Sequence, residues 1–286
     1  MNPSAISKII LEGREFFIKR DDLIDPYLAG NKYRKLYTLL NTPSTTYRKI
    51  ISYGGTQSNA MLAIAALCQQ KGWEFEYFTK PISKRQKNQE FGNFYNAQQL
   101  GMHHVEIDSN IYRDYIASLH INEDKTSFII DQGGADASAK NGLEVLAKEI
   151  REQTKTLNIR SVATPAGTGT TALFLALNLP EFTVYTTPCV GDSRYLREQM
   201  SALADIPKNL VILEPKKKYH FAKLYPEFLE IYETTKKAGV IFDLLYAPAM
   251  WLALLEQTTE KVLYIHSGGV SGNESMLQRY SQKVMQ

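Results

Sequence analysis

The chain of 286 residues carries 33 Lys and Arg against 30 Asp and Glu, has a formal net charge of +3 and is 44% hydrophobic; it is long enough for two subdomains around a cleft, and too evenly charged to propose nucleic acid or a membrane as partner. Its two cysteines, Cys68 and Cys189, are too few and too far apart for a disulfide framework or a zinc site and are expected as buried thiols, so no metal is proposed. No window approaches the roughly 18 apolar residues of a membrane span, and the N-terminus lacks the apolar core of a signal peptide, which makes a soluble cytoplasmic protein the expectation.

In chain order, the first informative segment is Leu28-Ala29-Gly30-Asn31-Lys32-Tyr33-Arg34-Lys35-Leu36, which places Lys32 in the first turn of a helix just after a glycine. An amine there can be held deprotonated and aimed into a cleft, as Schiff-base chemistry requires, although a solvated surface charge is the commoner role of such a lysine. Beyond it, apolar runs of strand length alternate with segments of helical period, the pattern of mostly parallel sheet with helices on both faces. Strands are predicted over 48–53, 74–78, 104–107 and 127–131, with one helix marked by Met61, Leu62, Ala65 and Cys68 and closed by Gly72, and another presenting Phe91, Phe94 and Tyr95. The second half repeats the alternation, with strands predicted over 160–164, 182–186, 210–213, 239–242 and 262–266. No low-complexity linker or solenoid repeat interrupts it.

Ligands of open parallel sheets bind beyond the carboxyl ends of strands, so the loops there carry the functional reading. After the strand at residue 50 comes Gly54-Gly55-Thr56-Gln57-Ser58-Asn59. Ser58 is placed to cap the next helix, a role that contributes about 1 kcal/mol. Alternatively, the glycines let the backbone approach a flat ligand, with Gln57, Ser58 and Asn59 beside it; Asn59 then donates to a phenolate-like oxygen and Ser58 moves a proton or attacks. Further on, Pro165-Ala166-Gly167-Thr168-Gly169-Thr170-Thr171-Ala172 opens an apolar helix, so free amides and three hydroxyls form a phosphate cradle. It has no Walker lysine, and although Gly167, Gly169 and Ala172 match G-x-G-x-x-A, the next strand ends in Thr186-Thr187 without the acid a dinucleotide needs. A single-phosphate cofactor fits better, and a plain helix-capping loop is the alternative. Near the C-terminus the strand ending at His266 delivers Ser267-Gly268-Gly269, suited to a planar heterocycle or to a simple turn, and Tyr246 precedes another helix, facing the same cleft or packing only.

Taken together, Lys19-Arg20-Asp21-Asp22-Leu23, Gly30-Asn31-Lys32-Tyr33-Arg34-Lys35-Leu36, Gly55-Thr56-Gln57-Ser58-Asn59, Gly167-Thr168-Gly169-Thr170 and His266-Ser267-Gly268-Gly269 resemble, in family order, the 1-aminocyclopropane-1-carboxylate deaminase and D-cysteine desulfhydrase family. The resemblance implies the tryptophan-synthase-β (fold type II) architecture: two open, mostly parallel α/β domains with the active site between them. The large pyridoxal-phosphate domain is expected over 1–44 plus 138–286, and the small one over 45–137. It implies pyridoxal 5′-phosphate as cofactor, Lys32 as its Schiff-base lysine, with Lys35 one turn on as the rival, and Asn59 on its 3′-oxygen. Gly167, Thr168, Gly169, Thr170 and Thr171 are implied at the phosphate, Ser267 at the pyridine nitrogen, and Gln57, Ser58, Asn59 and Tyr246 near the substrate. Two departures stand out: Ala247 replaces the deaminase glutamate, and Tyr219-His220-Phe221-Ala222-Lys223-Leu224-Tyr225 replaces a glycine- and tyrosine-rich loop.

The reading that follows is a pyridoxal-phosphate lyase of small amino acids, most like D-cysteine desulfhydrase, in which Lys32 takes the α-proton, Ser58 assists and Tyr246 lines the catalytic site. Its alternatives are a cyclopropane deaminase, against which Ala247 counts, a homologue with different or lost activity, and a nicotinamide-dependent oxidoreductase, which leaves the Gly-Asn-Lys and Gln-Ser-Asn segments unexplained. A small amino acid is the expected substrate, and a homodimer the expected assembly.

Overall fold

A computed structural model describes residues 3–121, 124–134 and 138–284. The chain opens with strands β1 (Ile6–Leu11) and β2 (Arg14–Lys19), followed by the short helices α1 (Gly30–Lys35) and α2 (Tyr37–Asn41). Next come β3 (Lys49–Tyr53), α3 (Asn59–Lys71), β4 (Glu74–Thr79), α4 (Lys84–Lys87), α5 (Gly92–Gln99), β5 (Met102–Glu106), α6 (Tyr112–Leu119) and β6 (Ser127–Ile130). Then follow α7 (Ala139–Thr154), β7 (Ser161–Ala163), α8 (Thr170–Asn178), β8 (Thr183–Thr186), α9 (Ser193–Ser201) and β9 (Leu210–Ile212). The last elements are α10 (Pro226–Lys237), α11 (Ala247–Gln257), β10 (Val262–Ile265) and α12 (Asn273–Val284).

These strands form two sheets, one in the order β5-β4-β3-β6 and one in the order β1-β2-β10-β7-β8-β9. Every pairing is parallel except that of β1 with β2. The expected α/β class is therefore the observed one. Strands β7 and β10 are buried along their whole length, and β10 accordingly reads as an unbroken apolar run rather than an alternating one. Helix α3 buries every residue from Ala60 to Cys68 between the four-stranded sheet and helices α1 and α5, starts on the predicted Ser58 cap and stops at Gly72, whose φ of 70° ends it in a left-handed turn.

Two features differ from the sequence expectation. The segment 239–242 is not a strand: the Ile241 carbonyl accepts from His266 Nε2, the Phe242 carbonyl accepts from Asn273 Nδ2, and Asn273 Oδ1 accepts from the Leu244 amide. Side chains there take the place of a ladder, so a strand-like alternation, with Val240 and Phe242 buried and Ile241 exposed, exists without a neighbouring strand. Conversely, the hairpin of β1 and β2, which no motif predicted, turns at Glu12 and Gly13 with φ of 49° and 74°, a two-residue turn of the kind that matches strand twist. The domain boundary expected near residue 45 falls in the loop between α2 and β3. The one expected at 137 lies outside the described residues.

Candidate active site

Strands β7 and β10 are neighbours, so the loops leaving their carboxyl ends, 165–169 and 266–269, lie side by side. In the other sheet β3 and β6 are neighbours, and their loops supply Gly54 to Ser58 and Gln132 to Gly134. Helix α1 touches a loop from each sheet: the Asn31 amide donates to the Ser267 carbonyl at 3.2 Å, while Lys32 Nζ and Lys35 Nζ each donate to the Gly133 carbonyl at 3.3 Å. Gly30 makes the first contact possible, because a Cβ there would stand 2.0 Å from the Ser267 oxygen. Gly30→Ala is expected to force the two segments apart and lower stability by about 1–3 kcal/mol, a loss to be read from denaturant unfolding.

Lys32 is half-buried, and burial brings its amine down from the usual lysine value to about 8. Lys35 is buried deeper, and its amine is pushed down first by burial and then by the charge of Lys32. Gly133, their shared acceptor, was not among the residues expected at the site. A carbonyl accepts from an ammonium or from a neutral amine alike, so it holds both side chains without fixing their charge.

Around α1 the small polar residues divide into committed and uncommitted groups. Ser58 Oγ accepts from the Met61 amide at 3.2 Å, and its hydroxyl donates to the Tyr77 phenol oxygen. Asn59 Oδ1 accepts from Asn93, a residue the motifs did not mark, and Asn59 Nδ2 lies against Gly269. The Gln57 side chain is exposed. Thr168 and Thr170 share a hydrogen bond at 3.0 Å between their hydroxyls, and Gly169 starts α8 without a side-chain cap, so the first amides of that helix have no capping side chain. The hydroxyls of Ser267, Thr171, Thr164 and Thr187 are buried without a hydrogen-bond partner. Ser267 and Thr171 stand on the two loops predicted to hold a heterocycle and a phosphate, so the residues present fit a phosphorylated planar cofactor that satisfies them. The neighbouring His266 is neutral and fixed in one tautomer: Nδ1 accepts from the Gly268 amide, Nε2 donates to the Ile241 carbonyl, and burial pushes its pKa down. It thereby stiffens the turn that carries Ser267.

The Tyr246 ring lies beside Gly167, 3.4 Å from where a Cβ would be. Burial, then the Asp243 carboxylate, pushes the phenol up and keeps it protonated. Asp243 caps α11 by accepting from the amides of Leu245, Tyr246 and Ala247. Ala247 itself is buried, so no acid occupies its place. On the outer side of Tyr246 packs Phe221, with ring centroids 5.2 Å apart, which brings the divergent segment 219–225 to the mouth of the site. Asp192, the acid nearest the dinucleotide position, instead caps α9 through the Tyr195 amide. Cys68 and Cys189 are both buried as expected, and burial pushes the Cys68 thiol up to about 12.

No family model matches the chain. It is 26% identical to the D-cysteine desulfhydrase of Serratia proteamaculans, covering 90% of this chain and 87% of that protein. It is 24% identical to the bifunctional D-cysteine desulfhydrase/1-aminocyclopropane-1-carboxylate deaminase, mitochondrial, of Arabidopsis thaliana, covering 91% and 73% respectively. A crystal structure of an ACC deaminase homologue superposes with a TM-score of 0.77 at 22% identity, over 97% of this chain and 94% of that one. The resemblance drawn from the motif order thus extends over nine-tenths of the chain, and the fold is that of the fold type II pyridoxal-phosphate enzymes.

Proposed function

We propose that the chain is a pyridoxal-phosphate-dependent lyase of small amino acids, most like D-cysteine desulfhydrase, eliminating a β-substituent such as sulfide to leave pyruvate and ammonia. The observation that carries this reading is the half-buried Lys32 amine, with a pKa of about 8, on a helix hydrogen-bonded to the turn that carries the unpartnered Ser267 hydroxyl. The names of the Serratia and Arabidopsis relatives support the class of reaction.

In this reading Lys32 carries the cofactor, the open amides of α8 with Thr168, Thr170 and Thr171 hold its phosphate, Asn59 donates to its 3′-oxygen, and Ser267 faces the pyridine nitrogen. Once bound, pyridoxal phosphate supplies the electron sink for the charge left on the α-carbon. Lys32 Nζ would take the α-proton of the bound substrate. Ser58, which caps α3, orients the substrate carboxylate, and protonated Tyr246 closes the wall beside Gly167. A neutral serine opposite the pyridine nitrogen leaves that nitrogen largely unprotonated, which restrains the sink and favours elimination over transamination. Ala247 offers no acid for ring-opening, which favours the desulfhydrase reading over the cyclopropane deaminase.

The test is direct: purified protein with pyridoxal phosphate and D-cysteine should release sulfide and pyruvate. Turnover of L-cysteine alone would overturn the stereochemical part, and production of 2-oxobutanoate from 1-aminocyclopropane-1-carboxylate would favour the alternative. The amine must also be neutral to capture the cofactor. Attachment of added pyridoxal phosphate to the apo-protein should therefore accelerate as pH rises toward about 8 and level off above it, measured by stopped-flow absorbance. The assembly is read as a cytoplasmic homodimer, two-fold dimers being the commonest closed oligomers and free thiols being usual inside cells; light scattering on the eluting protein tests the dimer.

A further inference from the structure

Asn93 belongs to none of the segments that carry the functional reading, yet it is completely buried at the start of α5 and joins the 54–59 loop to the turn after β10. Its Nδ2 donates to the Gln57 carbonyl at 3.1 Å and to Asn59 Oδ1 at 2.8 Å, and its Oδ1 accepts from Ser271 Oγ at 2.8 Å. The polarity of this chain of bonds is not free. A backbone carbonyl only accepts, so the end of Asn93 that faces Gln57 must be its NH2 group. Asn59 must then turn its oxygen toward that NH2 group, and its own NH2 group toward Gly269. There the fit is close: a Cβ on Gly269 would stand 2.5 Å from Asn59 Nδ2.

We infer that Asn93 is a positioning residue that locks Asn59 as a donor toward the anionic 3′-oxygen of the bound cofactor. The inference rests on the reading of the site as a pyridoxal-phosphate site. An isolated asparagine can present either end, and the wrong end would set a carbonyl oxygen against an anionic oxygen. The Gln57 carbonyl removes that choice before the cofactor arrives, and the electrostatics of the site are thereby preorganised. Ser271 ties the same amide to the 3-10 turn Val270–Gly272 that follows β10, so a residue of the β3–β6 half of the chain is oriented by one beyond β10.

The consequence is spectroscopic. A donor on the 3′-oxygen stabilises its negative charge and eases loss of the proton shared between that oxygen and the lysine nitrogen. Removing the donor therefore raises the pH midpoint of the visible band of the lysine-linked cofactor. Asn93→Asp takes away the NH2 group that holds Asn59 and should raise that midpoint, and weaken binding of pyridoxal phosphate to the apo-protein by about tenfold or more. Asn93→Ala, which brings no charge into the core, should move both in the same direction by less. In an Asn59→Ala background, Asn93→Asp should move neither further, because its effect passes through Asn59. An unchanged midpoint and affinity in a folded Asn93 variant, or an equal shift with Asn59 already removed, overturns the assignment. A wild-type protein that forms no band with pyridoxal phosphate overturns the reading of the site itself, before Asn93 is reached.

Discussion

Lys32→Ala should abolish the visible band formed with pyridoxal phosphate and cut lyase turnover by about a thousandfold or more, whereas Lys35→Ala should keep the band. The two lysines are about 300° apart around α1, which is 60° the other way, so they share one face and one acceptor, the Gly133 carbonyl. They differ in access. Lys32 is half-buried and can meet a ligand in the cleft, while Lys35 is only 6% exposed. The lowered amine of Lys32 also sets the sign of a stability effect. The unfolded lysine binds its proton up to the usual value of 10.5 and the folded one only up to about 8, so stability rises with pH across that window and the penalty is complete below it. Lys32→Ala removes this dependence, and comparing denaturant midpoints of the two apo-proteins at neutral and alkaline pH measures it. If Lys35→Ala lost the band and Lys32→Ala did not, the assignment of the anchoring lysine would be reversed.

What the sequence disclosed and what it hid follow from how far apart the interacting residues are. The loops 54–59, 165–171 and 266–269 were legible because each packs its glycines and small polar residues into a few consecutive positions after a strand. Ser58 as cap of α3 and Gly72 as its terminator are equally local. The segment 239–242 misled because a short apolar stretch does not record what binds its backbone, and side chains of His266 and Asn273 bind it instead of a strand. Asn93 left no signal, since the residues that give it meaning lie 34 positions before it and 178 after it. Lys19, Asp21 and Arg34 were quoted as parts of motifs, but their role depends on Glu149, which is 115 residues beyond Arg34.

That distant carboxylate completes a buried group of two positive and two negative charges, and Arg34→Met is expected to lower stability by about 3–5 kcal/mol. The Arg34 guanidinium forks onto Asp21 through Nε and Nη2, at 2.9 and 2.8 Å, and onto Glu149 through Nη1 and Nη2, at 2.7 and 2.8 Å. Lys19 Nζ adds a bond to Glu149 at 2.7 Å. Burial opposes the charge on Glu149, but Arg34 and Lys19 overcome it and hold that carboxyl below its usual value of 4.5. Its contribution is therefore complete above the ordinary carboxylate range and fades as pH falls through the lowered value, so the wild type should lose stability in acid more steeply than Arg34→Met. Removing the guanidinium leaves two carboxylates with one ammonium in a dry interior, which is why the loss is large although the intact cluster contributes little net energy. Arg34→Lys should recover only part of it, because an ammonium cannot fork onto two carboxylates at once. The cluster also decides where Lys32 sits. Helix α1 has only six residues, too few to hold a position by itself, and Arg34 lies about 200° around it from Lys32. One face of the helix is thus clamped to the turn after β2 and to α7 while the other presents the lysine. Arg34→Met should consequently weaken cofactor binding as well as folding, and a variant destabilised as expected but with unchanged affinity for pyridoxal phosphate would show that the clamp supports the fold without placing Lys32.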